Sequence, residues 1–95
     1  MTKYEDGLSK RLRDPRYAVT YLNAVLEDPG PRHQERFLMA LRDVAKAHGF
    51  GRLAENSIVS REALYRILSK KGNPELTTLF SLLGALGLKI QIKAS

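Results

Sequence analysis

The sequence has no cysteine among its 95 residues. Disulfide bonds, zinc sites with cysteine ligands and thiol catalysis are therefore excluded. No apolar run approaches the roughly 20 residues needed to span a bilayer, and the polar stretch 1–16 lacks the apolar segment of a signal peptide. We therefore expect a cytoplasmic protein with no membrane partner.

Positive charge is what the sequence holds in excess, with 16 Lys+Arg against 10 Asp+Glu and a formal net charge of +6. This balance favours a polyanionic partner, nucleic acid first and an anionic membrane surface second, although solubility alone also explains it. The membrane alternative is weaker because residues 1–13 are basic but lack a continuous apolar stripe. A chain of this length forms one domain.

Apolar residues recur at helical spacing over most of the chain, with helix start and stop signals between the runs. Asp14-Pro15 is typical of a helix start, while Pro29-Gly30-Pro31 and the later glycines are typical of helix ends. The pattern predicts helices over about 15–26, 32–48, 51–57, 61–71 and 74–86. Phe80 lies on the apolar stripe of the last one and is expected in the core.

The two ends of the chain follow other patterns. Residues 1–13 lack periodicity and contain Gly7, which predicts a flexible N-terminal arm and a folded domain over 14–95. Residues 88–93 alternate apolar and polar side chains, as in a half-buried β-strand. A single strand has no partner within the chain, so it packs irregularly or pairs with a second copy. Ile90 and Ile92 are then the candidate dimer contacts.

Residues 50–72 match the requirements of a helix-turn-helix, which forms the core of the predicted domain. The first helix needs a small residue, the turn an apolar one, and the second helix two apolar residues on its buried face. The residues that meet these requirements are Ala54, Val59, Leu64 and Ile67. The second helix is then free to present polar side chains to a DNA major groove. An ordinary helical hairpin with a solvated polar face is the alternative.

A family resemblance rests on the block LAENSIVSREALY at 53–65 and on Gly72-Asn73-Pro74 downstream. With further matches at 21–28, 41–45 and 83–88, the chain resembles the probable addiction-module antidote family, HigA-like antitoxins of the Cro/lambda-repressor class. The resemblance implies an all-α, five-helix lambda-repressor-like helix-turn-helix domain, with the N-terminal arm and a short C-terminal β-strand. It also implies a homodimer that represses its own operon at a palindromic operator in double-stranded DNA and neutralises a RelE-like, mRNA-cleaving toxin.

Two positions depart from the pattern of that family. The family usually has glycine where this chain has Ile58, and a β-branched residue is strained in the left-handed region. We therefore expect that the turn uses another geometry or adds half a helical turn. Related repressors often place glutamine near Gly51-Arg52 to clamp a phosphate, and Arg52 would replace that contact with a charge.

The outward positions of the second helix are the candidate base contacts. Arg61 and Arg66 suit guanine, because arginine binds its O6 and N7 atoms in a bidentate manner. Glu62 would accept from a cytosine amine, or would only stabilise the helix dipole. Tyr65 would touch a thymine methyl or a phosphate. The candidate phosphate contacts, which set register without reading sequence, are Arg52, Ser60, Lys70, Lys71 and Asn73.

A toxin-facing surface is expected on the first predicted helix, at Tyr17, Tyr21 and Leu22, and on the arm before it. The alternative for these residues is that they complete the core. A rival for the whole chain is a protein-interaction module with a relic helix-turn-helix that binds a toxin or other partner without DNA. A DNA-binding antitoxin and a module that binds only protein would have the same apolar core, so the sequence does not distinguish between them.

Catalytic and metal-binding patterns are absent from the sequence. His33 and His48 are too far apart to form a metal pair on one helical turn, and no acidic ligand motif accompanies them. Gly49-Phe50-Gly51 is not followed by the Lys-Ser/Thr of a phosphate-binding loop. We therefore expect a protein that is not an enzyme and that needs no metal or cofactor.

Overall fold

Six helices make up the regular structure of residues 3–95, the part of the chain that the computed structural model describes. In chain order they are α1 (Lys3–Leu12), α2 (Pro15–Leu26), α3 (His33–His48), α4 (Phe50–Glu55), α5 (Arg61–Ile67) and α6 (Leu76–Ala85). The predicted all-α class is confirmed, although the predicted number of helices is one too low. Within this part of the chain, no helix is long and apolar enough to cross a membrane.

Local capping signals account for the start of α2 and for the junction of α3 with α4. The Asp14 carboxylate accepts a hydrogen bond from the Arg16 amide at 3.0 Å, and Pro15 is the first helical residue. Gly49 has a φ of 104°, a backbone conformation that residues with a side chain rarely adopt. Its amide donates to the Ala45 carbonyl at 2.8 Å, so α3 ends where α4 begins.

Helix α1 replaces most of the arm that the sequence predicts over 1–13, whose first two residues lie outside the described part. Leu8 and Leu12 are one helical turn apart and pack on the core, and only 3% of Leu12 is exposed. Their burial against α2 and α3 offsets the roughly 0.5–1 kcal/mol that a glycine such as Gly7 costs inside a helix. Tertiary packing therefore makes a helix from a segment with weak local signals.

The predicted C-terminal strand is wrong, since residues 88–95 contain no strand in this structure. The α6 helix ends in a Schellman motif, with Gly87 at a φ of 76° and the Leu88 amide donating to the Leu83 carbonyl at 2.8 Å. The chain then has no neighbouring strand with which to pair. Ile90 and Ile92, the candidate dimer contacts, are 50% and 91% exposed.

The core is centred on α3, which packs against α1, α2 and α4. Its inner face buries Leu41 and Ala45 completely. The largest fully buried side chains are Leu41, Leu53, Leu64, Leu68 and Leu82. These leucines come from α3, α4, α5, the turn after α5 and α6, so one core holds the helix pair α4–α5 in place. Phe80, expected in this core, is 52% exposed instead.

Candidate nucleic-acid interface

Helices α4 and α5 form a packed pair joined by residues 56–60. Val59 in the connection and Leu64 on α5 are buried, while Ala54 and Ile67 are partly buried against the core. The Phe50 ring meets the Tyr65 ring edge to face, with centroids 4.7 Å apart and an interplanar angle of 73°. The four apolar positions that the sequence singles out therefore do pack inward, and they fix the orientation of α5.

The turn between the two helices avoids the left-handed conformation at Ile58. Among the non-glycine residues that the structure describes, only Arg32 has a positive φ, of 58°. The Ile58 amide instead donates to the Ser81 hydroxyl on α6 at 3.1 Å, which ties the turn to that helix. The side chain of Ile58 is 68% exposed. The turn thus uses another geometry and leaves an apolar side chain at the surface.

Ser60 is the N-cap of α5, as its position in the sequence predicts. Its backbone is extended, and its hydroxyl oxygen accepts a hydrogen bond from the Ala63 amide at 3.1 Å. Glu62 lies in the first turn of α5, where its negative charge interacts favourably with the positive end of the helix dipole.

The outward face of α5 is exposed and carries two cationic side chains. Arg61, Glu62, Tyr65 and Arg66 are all exposed. Arg61 and Tyr65 are one helical turn apart, as are Glu62 and Arg66, so the four side chains line one side of α5. Among the side chains that the structure describes, the ion pairs are Arg16–Asp14 and Arg36–Asp28, and neither includes an α5 arginine.

Helix α5 is shorter than the predicted helix, which extended to Lys71. It ends at Ile67, and the chain turns sharply to Gly72, where a Cβ would lie only 1.9 Å from the Ile67 carbonyl oxygen. Lys70 and Lys71 therefore lie exposed in the turn rather than on the helix.

The start of α6 also differs from the prediction, which placed it at residue 74, and Asn73 does not cap that helix. Its side-chain oxygen accepts from the Gln34 amide of α3 at 3.4 Å. The N-cap is Glu75, and α6 begins at Leu76. Glu75 has an extended backbone, with a φ of −64° and a ψ of 155°, so the helix begins only after it.

Positive charge extends from α4 into a neighbouring cleft of about 600 Å³. Arg52 is exposed on α4 and lines this cleft together with Arg13, Lys46 and His48. The cleft lining includes no acidic residue, and its remaining side chains are mainly apolar. Sequence reasoning selected Arg52 but missed the other three, because they come from separate segments that only the fold brings together.

The residues expected to face a toxin differ in their accessibility. Tyr17 is exposed, with the Arg11 guanidinium 5.7 Å from the centre of its ring. Leu22 is only 6% exposed and belongs to the core, which agrees with the alternative prediction that these residues complete the core. The Tyr21 hydroxyl donates to the Asp43 carboxylate at 2.6 Å. The pKa of Tyr21 is raised well above its usual value, mainly because the hydroxyl is buried and also because it is bonded to the Asp43 carboxylate.

These features define a small all-helical protein with an exposed, cationic helix held on a leucine core. A family model described as "Probable addiction module antidote protein" matches residues 2–94. The chain therefore belongs to the family of probable addiction module antidote proteins.

A relative from Haemophilus influenzae, named only as an uncharacterized protein, is 37% identical over 75 residues. The match covers 79% of this chain and 74% of that relative. No solved structure matches the chain.

Family membership confirms the coarser part of the functional prediction. An antidote protein of an addiction module is an antitoxin, so the family indicates an antitoxin role and implies a toxin as partner. It also suggests a role other than catalysis.

Proposed function

We propose that this chain is a DNA-binding antitoxin that represses its own operon through α5 and neutralises a RelE-like, mRNA-cleaving toxin from that operon. Family membership supports the antitoxin role. The observation that carries DNA binding is the exposed face of α5, on which Arg61 and Arg66 form no ion pair with any side chain that the structure describes. Leu64, fully buried beneath that face, holds the helix rigidly in place.

In this proposal α5 acts as the recognition helix of a helix-turn-helix and lies in the major groove. Its 7 residues give a rod roughly 10 Å long. The diameter of an α-helix with its side chains, about 10–12 Å, fits a major groove about 12 Å wide. Arg61 and Arg66 are about 7.5 Å apart along the helix axis, or about two base-pair steps of 3.4 Å. Each arginine binds one guanine, Glu62 accepts from a cytosine amine, and Tyr65 contacts a thymine methyl or a phosphate.

Phosphate contacts flank the recognition helix on both sides. Lys70 and Lys71 are exposed beyond its C-terminal end, and Arg52 is exposed on α4. Ser60 and Asn73 add neutral donors near the two ends of α5. A homodimer that places two such helices about 34 Å apart reads the two halves of a palindrome.

Mobility shifts with the DNA upstream of the gene, at two salt concentrations, test DNA binding. Arg61→Ala should weaken operator binding by roughly 1–3 kcal/mol, because one bidentate base contact is lost. Lys70→Ala should weaken binding to all duplexes alike and lower the salt slope by about one. Arg16→Ala on α2 is the matched control, since it removes the same charge far from α5 in sequence. Operator binding by Arg61→Ala that equals wild type would contradict the assignment of α5.

The toxin half of the proposal is tested by co-expression with the adjacent gene. The expected result is co-purification of its product, together with suppression of its mRNA cleavage on translating ribosomes. Tyr17→Ala should weaken this complex if the exposed face of α2 contacts the toxin. If wild-type chain captures the toxin but shifts no DNA fragment, the chain is an interaction module with a relic helix-turn-helix.

A further inference from the structure

The cleft beside α4 has the size and the enclosure of a small-molecule site. Its volume of about 600 Å³ lies within the roughly 300–1,000 Å³ typical of such sites. The residues that line it come from α2 and α4 and from the C-terminal ends of α1, α3 and α6. A molecule bound there would therefore contact parts of the chain that are far apart in the sequence.

The charge of the cleft has one sign. Arg13, Lys46 and Arg52 are exposed and His48 is half-buried, while no acidic residue lines the cleft among the residues that the structure describes. Neither of the two ion pairs among the described side chains includes one of these cations. Lys46 and His48 lie in the last turn of α3, where they also interact favourably with the helix dipole. That dipole does not account for Arg13 and Arg52, which come from other segments.

An apolar wall accompanies these cations. Leu12 and Val44 are each only 3% exposed and back the cleft, and Leu86 and Leu88 line it as half-buried side chains. A free anion, or a phosphate of a DNA backbone, would contact the cations and leave this wall in water. An anion attached to an apolar body would contact both, and covering the wall adds the hydrophobic effect to the charge attraction.

We propose that this cleft binds a small organic phosphate monoester, in which the phosphate is attached to an apolar body. A phosphate monoester carries a charge of about −1.5 to −2 at pH 7, which suits several unpaired cations. The planar guanidinium groups of Arg13 and Arg52 match the geometry of phosphate oxygens, and Lys46 adds a point charge. The apolar body lies against Leu86 and Leu88. Only Arg52 is shared with the proposed DNA interface, and the site does not depend on DNA binding.

The test uses 1-naphthyl phosphate as the probe and its two halves, inorganic phosphate and 1-naphthol, as controls. Titration calorimetry on the full chain without DNA measures each Kd. The probe should bind one-to-one, with a Kd at least about tenfold below that of either half, because only the probe uses the cations and the apolar wall together. Amide shifts in nuclear magnetic resonance spectra should move at Arg13 and at residues 46–52 and 86–88.

Single charge removals locate the site. Arg13→Gln and Arg52→Gln each remove one charged hydrogen-bond donor and should each raise the Kd of the probe about tenfold. Both side chains are exposed, so both variants should fold, and thermal melting followed by circular dichroism checks this. Arg61→Gln is the matched control, because Arg61 is an exposed arginine that does not line the cleft. It should leave the Kd of the probe unchanged.

Three results would overturn the proposal. The first is a probe that binds no more tightly than inorganic phosphate, which would reduce the cleft to a patch that attracts any anion. The second is a Kd that Arg13→Gln and Arg52→Gln leave unchanged. The third is displacement of the probe by hexaglutamate at a comparable Kd, which would assign the cleft to an acidic protein segment instead.

Two of these variants separate the cleft from the proposed function. Arg61→Gln should lose operator binding and keep the probe, whereas Arg13→Gln should lose the probe and keep operator binding. A wild type that binds the probe but shifts no DNA fragment contradicts only the repressor role.

Discussion

Gly72 offers a sharp test of how the chain passes from α5 to α6. A Cβ at this position would lie 1.9 Å from the Ile67 carbonyl oxygen, 2.7 Å from its carbonyl carbon and 3.1 Å from the Ser69 carbonyl oxygen. All three atoms belong to the backbone, so no side-chain rotation can relieve the contact. Gly72→Ala should therefore force α5 and the turn apart.

The magnitude follows from the size of that displacement. Overpacking of this kind costs about 1–3 kcal/mol, and a rigid backbone partner places the cost near the upper end of this range. Replacing glycine also lowers the entropy of the unfolded chain, which returns roughly 0.4–1 kcal/mol. The net loss in the free energy of unfolding should be about 2 kcal/mol. At about 4–8 °C per kcal/mol for a domain of this size, Tm should fall by roughly 8–16 °C.

Urea denaturation and thermal melting followed by circular dichroism measure this loss. Gly51→Ala is the matched control, because Gly51 is exposed in α4 and its Cβ would meet nothing within 4 Å. There the same substitution should raise the free energy of unfolding by about 0.5–1 kcal/mol. The two variants should therefore move in opposite directions. A Gly72→Ala chain as stable as wild type would refute the close approach to Ile67.

Two further predictions concern single hydrogen bonds. Tyr21→Phe removes the bond to Asp43 and should cost about 1 kcal/mol near neutral pH. Because the folded-state pKa of Tyr21 is raised above its usual 10.0, this stabilisation is complete below that value and is lost as the pH rises through the folded pKa. The stability difference between wild type and Tyr21→Phe should thus shrink above about pH 10, and a constant difference would contradict it. Ser60→Ala removes the cap on Ala63 and should cost about 1 kcal/mol in urea denaturation, which Ser60→Asp should largely restore.

Much of the candidate interface was predictable from the sequence because its signals are local. Ser60 caps the helix that follows it, and the alternation of Leu64 with Arg61 and Arg66 depends only on helical periodicity. The end of α5 was less predictable. Lys70 and Lys71 continue a helical pattern, but the backbone leaves the helical conformation at Leu68, with a φ of −97° and a ψ of 54°. The turn that follows brings Gly72 so close to the Ile67 carbonyl that a side chain would clash there.

The sequence by itself determined the all-helical class, the cap at Asp14, the break at Gly49 and the polar face of α5. Each of these depends on groups within one or two helical turns, which interact in the same way in almost any fold. Only the tertiary structure decided that residues 3–12 form a helix, that residues 88–93 form no strand, and that Phe80 lies at the surface. An apolar residue is buried, and a strand is paired, only where a distant part of the chain or another molecule supplies the surface that covers it.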